Sequence, residues 1–280
     1  MVLGFNLRDS LRKRDNRLDD IISLIRDKYV DTVDNGILYK DAVSGILQSL
    51  DPHTVYIPAE ELEDINEDLD GGFSGIGVEF SIVRDTIEVT SVVENGPASK
   101  AGVEVGDQLL KVGDSLVAGI NITSARIIKM LKGKQSSNVD VTLKNPLTDA
   151  IKQFPITRDI IPTYSVEASI MVDNTTGLIK INRFSATTYK EFNAALRKLI
   201  DQGATRLIID LRDNPGGYLD AATSIADDLL DKDKLIVYTK GVHAPKKEYK
   251  AGESSLFEQG KLAILVDESS ASASEILAGA

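Results

Sequence analysis

Lys261-Leu-Ala-Ile-Leu-Val-Asp-Glu-Ser-Ser-Ala-Ser-Ala-Ser-Glu-Ile-Leu-Ala-Gly-Ala280 begins with a continuous apolar run, Leu262 to Val266. A run of that length and composition reads as a buried parallel strand. Asp267 and Glu268 break it, small residues follow, and Glu275-Ile-Leu-Ala278 starts a helix. A strand, a tight turn and a helix with serines at the turn can hold a nucleophile at a helix N-terminus. Backbone N–H groups and the helix dipole there favour a developing oxyanion. The same residues also fit a small-residue turn in which Ser272 and Glu275 form a capping box.

The preceding hundred or so residues alternate between strand and helix patterns. Leu178-Ile-Lys-Ile181 reads as a strand, and Tyr189, Phe192, Leu196, Leu199 and Ile200 line one helical face. Leu207-Ile-Ile-Asp-Leu211 reads as a short buried strand, Asp220 to Leu230 as a helix and Leu235-Ile-Val-Tyr238 as another strand. Such alternation predicts parallel crossover units. Gly241 to Gly260 is polar and reads as a loop. Asp210-Leu-Arg-Asp-Asn-Pro-Gly-Gly217 lies at the C-terminal end of a strand, where chemistry in open α/β sheets gathers. Gly216 and Gly217 can bring unobstructed N–H groups to a substrate carbonyl, although Asn-Pro-Gly-Gly is also an ordinary turn sequence.

The N-terminal region reads as helical. Leu18, Ile21, Ile22, Leu24, Ile25 and Tyr29 fall close to one helical face, and a second helix runs from Ile37 to Leu50. Pro58 can start an acidic third helix, Ala59 to Asp68. Apolar faces in so small a unit must pack on another domain or another copy of the chain. From Gly71 the texture changes to β, with alternation in Ile76-Gly-Val-Glu-Phe80, Ile87-Glu-Val89 and Val139 to Leu143. Leu109, Leu110 and Val112 give a strand, Ile122 to Leu131 a helix, and Ile151 to Ile156 closes the unit. Arg158-Asp-Ile-Ile-Pro162 reads as a linker.

Composition narrows the function. The net charge of -11 leaves no basic stripe to neutralise phosphates, which argues against nucleic acid. The basic cluster Arg8 to Arg17 is broken by Asp9, Asp15 and Asn16 and reads as a solvated helix face. The absence of cysteine excludes disulfides, zinc–thiolate sites and a cysteine nucleophile. No metal-ligand cluster and no cofactor fingerprint is visible, and Phe80 stands where a dinucleotide motif needs its third glycine. No run is long enough to span a bilayer, and residues 1–20 lack the apolar core of a signal peptide.

Two resemblances organise these readings. Gly75-Ile-Gly-Val78, with Gly96-Pro-Ala-Ser-Lys-Ala-Gly102 and Gly106-Asp107, resembles a PDZ domain in the bacterial protease arrangement. Such a domain takes an extended peptide as an added strand. The resemblance implies that Gly75, Ile76, Gly77 and Val78 bind the C-terminus of a protein or peptide substrate through a small backbone anion nest. Over nearly its whole length the chain resembles the S41 serine peptidases, specifically the carboxy-terminal processing (tail-specific) proteases. Tyr29-Val-Asp-Thr-Val-Asp34, Leu50-Asp-Pro-His-Thr-Val-Tyr56, Leu211-Arg-Asp-Asn-Pro-Gly-Gly217 and Ser270-Ala-Ser-Ala-Ser-Glu275 follow in the family's order.

That resemblance implies Ser272 as nucleophile, with Ser270 and Ser274 as alternatives, and the N–H groups of Ala273 and Gly217 as oxyanion hole, with Gly216 the fallback. It implies no cofactor and a Ser–Lys dyad, whose lysine lies roughly two dozen residues past the serine and so beyond Ala280. The chain breaks off inside a helix and is expected to be inactive through truncation before that lysine. His53 and His243 sit where neither suggests a Ser-His-Asp arrangement, and no G-x-S-x-G elbow is present.

The expected architecture is multidomain α+β: a helical region at 1–70, a PDZ-like β domain at 71–160 and an α/β (ClpP/crotonase-like) peptidase core at 161–280. The implied partners are substrate C-termini, and the N-terminal helices allow a homodimer. The implied location is the cell envelope or periplasm. A different class, a non-catalytic PDZ adaptor or pseudoprotease, fits a chain without the lysine. A crotonase-like acyl-transfer enzyme is a third reading, but it predicts a cofactor site that the sequence does not display.

Overall fold

The computed structural model describes residues 17–51, 53–252, 256–257 and 259–280. The chain divides into two compact units, Met1–Leu62 and Glu63–Ala280. The first holds α1 (Arg17–Lys28), α2 (Asn35–Leu47) and the start of α3 (Ala59–Asp70). Asp34 sets the start of α2, because its Oδ1 accepts the Gly36 and Ile37 N–H groups at 2.7 and 3.2 Å. The helix ends at Leu47, short of the expected Leu50. Ile22 is the one buried large hydrophobic side chain described in this unit, while Ile21, Leu24, Ile37 and Ile46 are all more than half exposed. Apart from Arg17, the basic cluster lies outside the described residues.

The second unit begins with a β domain. It comprises β1 (Gly72–Gly75), β2 (Val78–Val83), β3 (Thr86–Val92), α4 (Pro97–Ala101), β4 (Gln108–Val112), β5 (Ser115–Leu116), α5 (Ser124–Leu131), β6 (Asn138–Lys144), β7 (Ile151–Thr157) and β8 (Asp159–Pro162). The main sheet runs β2-β3-β4-β6-β7, with β5 paired to β4. Pro97 opens α4 and Gly102, at φ +90°, ends it in the left-handed cap that glycine allows. Ile127 and Leu131 turn the inner face of α5 onto Ile87, Val89, Leu109, Val141 and Leu143.

Two expectations for this domain need correction. Ile76 and Phe80 do not share one strand. Gly77, at φ +76°, breaks the chain between β1 and β2 and sends Ile76 into the core. Residues 158–162 are not a linker. β8 pairs antiparallel with β1, from Gly72↔Pro162 to Gly75↔Asp159, and Ile161 is buried. Arg158 anchors this return, its guanidinium donating to the Leu131 and Met130 carbonyls, both at 2.9 Å, at the end of α5. Pro162 disguises the strand, because at the last position of a two-stranded ribbon its missing N–H costs nothing.

The α/β part holds β9 (Val166–Met171), β10 (Thr176–Ile181), α6 (Thr188–Asp201), β11 (Arg206–Asp210), α7 (Leu219–Asp227), β12 (Leu235–Thr239), β13 (Lys247–Lys250), β14 (Lys261–Leu265) and α8 (Ala273–Gly279). The sheet order is β14-β11-β10-β9. The pairs β10/β11 and β11/β14 are parallel, as the crossover pattern predicts, whereas β9/β10 is antiparallel. Phe192, Leu196 and Leu199 of α6 and Ala222, Ile225 and Ala226 of α7 pack with Ile179, Ile181, Leu207 and Ile209 of the sheet. Each fully buried large side chain contributes about 1.5–3 kcal/mol of burial free energy.

Further expectations change here. β12 leaves the parallel sheet and pairs antiparallel with β13, so Gly241 to Gly260 contains a strand. β14 is parallel, and among the described residues it pairs only with β11, with Leu262, Leu265 and Val266 exposed. An apolar run records the strand, not whether a neighbour covers its far side.

Candidate active site

The turn after β14 and the loop after β11 meet at the C-terminal ends of two parallel strands. Asn214 joins them. Its side chain is fully buried. Nδ2 donates to the Ile181 carbonyl at 2.8 Å, and Oδ1 accepts the Gly216 N–H at 2.9 Å. Its own carbonyl accepts the Ala271 N–H at 3.1 Å and the Ser274 hydroxyl at 3.0 Å. One residue therefore ties the end of β10, the glycine loop and the serine turn together. In the sequence Asn214 reads only as a turn former. The usable signal is its chemistry, since an amide supplies donors and an acceptor at once in a tight loop.

Two carboxylates hold the same loop. The Arg212 guanidinium donates to Asp210 at 2.9 and 2.6 Å and holds that carboxyl down at about 2. Asp267 accepts the Asp213 N–H at 3.1 Å, the Ser269 N–H at 3.1 Å and the Ser270 hydroxyl at 3.1 Å. The Asp213 N–H, foremost among these donors, lowers the Asp267 pKa. Asp267, which in the sequence only ends the apolar run, is the clamp between the two loops.

The three serines separate by their partners. The Ser270 hydroxyl donates to the Leu211 carbonyl at 2.8 Å, and the Ser274 hydroxyl is buried against Asn214. Ser272 is exposed. It precedes α8 with φ 53° and ψ -112°, a conformation unfavourable for an L-residue with a side chain. The Glu275 carboxylate accepts the Ser272 N–H at 2.7 Å, fixing the backbone there.

The two glycines differ as well. A Cβ on Gly216 would lie 2.6 Å from the Ala271 carbonyl oxygen, 2.8 Å from Ser272 Cβ and 2.9 Å from the Ala273 nitrogen. Gly216 is thus the residue that lets the glycine loop close on the serine turn. Its N–H already binds Asn214, so it is not available as the fallback oxyanion donor. Gly217 lies against Phe184, whose N–H donates to the Gly216 carbonyl and whose carbonyl accepts the Tyr218 N–H, at 2.8 and 2.7 Å. Among the described residues neither the Gly217 nor the Ala273 N–H has an acceptor. Gly216 and Gly217 border a cleft of about 730 Å³, lined also by Lys180, Asn182, Arg183 and Pro215.

A second concavity, of about 480 Å³, lies between β2 and α5. Gly75, Ile76, Gly77 and Val78 all line it, with Phe80 and Ile128. The Ile76 and Gly77 carbonyls are engaged inward, by the Ala98 N–H at 2.8 Å and the Val93 N–H at 2.9 Å. Their own N–H groups have no acceptor among the described residues. β2 is an edge strand, as strand addition requires. His53 and His243 are both exposed. Among the described residues no group of His, Asp or Glu side chains gathers as a metal site.

Residues 175–280 match the model of peptidase family S41, and residues 65–144 match that of the PDZ domain. The carboxy-terminal-processing protease of Bartonella bacilliformis is 31% identical over 268 residues, covering 94% of this chain and 61% of that protein. A probable CtpA-like serine protease of Staphylococcus epidermidis is 36% identical over 247 residues, 87% of this chain and 49% of that protein. The carboxy-terminal processing protease CtpA of Bacillus subtilis is 31% identical over 280 residues, 100% of this chain and 59% of that protein. The chain spans about half to about three fifths of these curated relatives' length.

Proposed function

Because residues 175–280 belong to peptidase family S41 and residues 65–144 to the PDZ domain family, we propose a serine endopeptidase that cleaves protein substrates near their C-terminus. The observation that carries this reading is the contrast among three serines. Two hydroxyls are bound to backbone carbonyls, and Ser272 stands exposed where Gly216 brings the glycine loop against it.

In this reading the substrate tail lies along β2, its carboxylate held by the Ile76 and Gly77 N–H groups. Ser272 Oγ attacks the scissile carbonyl carbon while its proton passes to a general base. We place that base on a lysine roughly two dozen residues past Ser272. The Gly217 and Ala273 N–H groups hold the developing oxyanion. Collapse expels the amine, which takes the proton, and leaves an acyl-Ser272 ester that water hydrolyses. We further propose a border at 70/71, a second after Pro162 rather than at 160/161 because β8 pairs with β1, and a cell-envelope location, which recovery solely from the cytoplasmic fraction would refute. Among the described residues no helix is long and apolar enough to cross a membrane.

The test is cleavage of a protein with an apolar C-terminal tail by a polypeptide that includes the downstream lysine. The Gly77→Val variant separates tail capture from chemistry. Gly77 sits at φ +76°, and a Cβ there would lie 3.0 Å from Ile161 Cδ1 and 3.3 Å from Val93 Cβ. KM should rise about tenfold with little change in kcat, as loss of uniform binding requires. An unchanged KM would refute the groove assignment. Tail binding without any cleavage would favour a peptide-binding adaptor.

The exposed apolar faces of α1 and α2 support a homodimer through the N-terminal helices. Light scattering should then give twice the chain mass, falling to one chain on Leu24→Lys with Ile46→Lys. A single-chain mass for the parent would remove the dimer.

A further inference from the structure

We infer that the β12–β13 hairpin is an electrostatic docking element for an anionic lipid surface, a role separate from peptide cleavage. Among the described residues the hairpin belongs to neither main sheet and pairs only with itself. Residues 238–248 are exposed throughout. Between Tyr238 and Lys250 lie four lysines and one glutamate, in a chain whose net charge is -11.

The pairing decides which charges act together. Tyr238 is opposite Glu248, so both point to one face; Lys250 shares it two residues on in β13, Lys246 reaches it, and Lys240 follows the end of β12. Lys246 lies 4.5 Å over the Tyr238 ring, while Glu248 binds Lys246 and Lys250 at 2.7 and 3.1 Å. The turn beyond them, Gly241-Val-His-Ala-Pro245, is small, and its tip carries Val242, 96% exposed, beside the exposed His243. An apolar tip, a flanking ring of lysines and a tyrosine at their level is the order a lipid interface selects, with ammonium groups at headgroup depth and the apolar residue below. An acidic protein partner would use the lysines but would have no need of the exposed valine. The negative remainder of the chain is repelled by the same surface and would orient the hairpin toward it.

Each lysine close to an anionic leaflet is worth about fivefold in partitioning. Co-sedimentation of the full chain with vesicles tests the idea. Binding is expected to phosphatidylcholine vesicles doped with phosphatidylglycerol and not to phosphatidylcholine alone. It should be lost at about 1 M salt, where screening is nearly complete. Replacing Lys240, Lys246 and Lys250 together by glutamine should lower the partition coefficient roughly a hundredfold. Val242→Ser should lower it severalfold. Circular dichroism checks that both variants fold. Lack of binding by the parent chain, or undiminished binding by the triple variant, would overturn the proposal. So would displacement by soluble polyglutamate together with indifference to Val242→Ser, which would mark an acidic protein partner.

Discussion

Ser272→Ala is expected to reduce turnover of a tailed protein roughly 10³-fold or more, as loss of a nucleophile does. The measurement uses a longer polypeptide that contains the lysine proposed as base. The informative comparison is with its neighbours. Ser270→Ala removes a hydroxyl that bonds the Leu211 carbonyl and Asp267, and Ser274→Ala removes one that is buried against Asn214. Each should cost about 0.5–1.5 kcal/mol of stability and leave the chemical step largely intact. Ser272 is exposed but caps α8 together with Glu275, so its replacement should cost no more than the loss of a helix cap, about 0.5–2 kcal/mol. Different signatures are thus predicted within five residues: the chemical step is lost at 272 and kept at 270 and 274, where only stability falls. If Ser270→Ala or Ser274→Ala alone abolished turnover in a folded protein, the nucleophile would be that residue.

The second large effect is expected at Gly216. A methyl group there meets the Ala271 carbonyl oxygen at 2.6 Å and Ser272 Cβ at 2.8 Å, and the backbone lies at φ +99°. Neither neighbour can yield alone. Ala271 is bonded to the Asn214 carbonyl, and Asn214 also holds Gly216 itself. Gly216→Ala should therefore move the serine turn bodily away from the glycine loop. Displacement of a nucleophile by about 1 Å costs about 10² in rate. The expected result is a loss of kcat of that order or more and a lower melting temperature. Because Gly216 donates its N–H to Asn214, this loss comes from geometry and not from removal of an oxyanion donor. Undiminished kcat in the Gly216→Ala variant would show that the two loops need not touch for catalysis.

How much of this is legible in the sequence differs from element to element. The strand, the turn and the helix around Ser272 are readable because period, small residues and caps all act locally. The crossover unit β10–α6–β11 is readable for the same reason, whereas the Gly75–Val78 stretch is assigned to a groove only through its resemblance to a PDZ domain. What the sequence conceals depends on neighbours. Leu262 to Val266 looks buried, yet a strand is buried only if something lies beside it, and among the described residues β14 pairs only with β11. Leu235 to Tyr238 looks like another parallel strand, yet it pairs with Lys247–Lys250 from a stretch that reads as loop. Ile160 and Ile161 are masked by the proline beside them. In the site, glycine pairs are visible but not their division of labour. Which glycine contacts the serine and which keeps a free N–H follows from Asn214, whose bonds reach residues 33 and 57 positions away in the chain.

Whether Ser272 is the nucleophile is decided by finding the serine that carries the covalent intermediate. A peptide ester or organophosphonate patterned on an apolar tail can be reacted with the lysine-containing polypeptide, and the adduct mapped by peptide mass spectrometry. A single adduct on Ser272, absent in Ser272→Ala and retained in Ser270→Ala and Ser274→Ala, is the predicted result. An adduct on Ser270 or Ser274, or one that persists in Ser272→Ala, would contradict it.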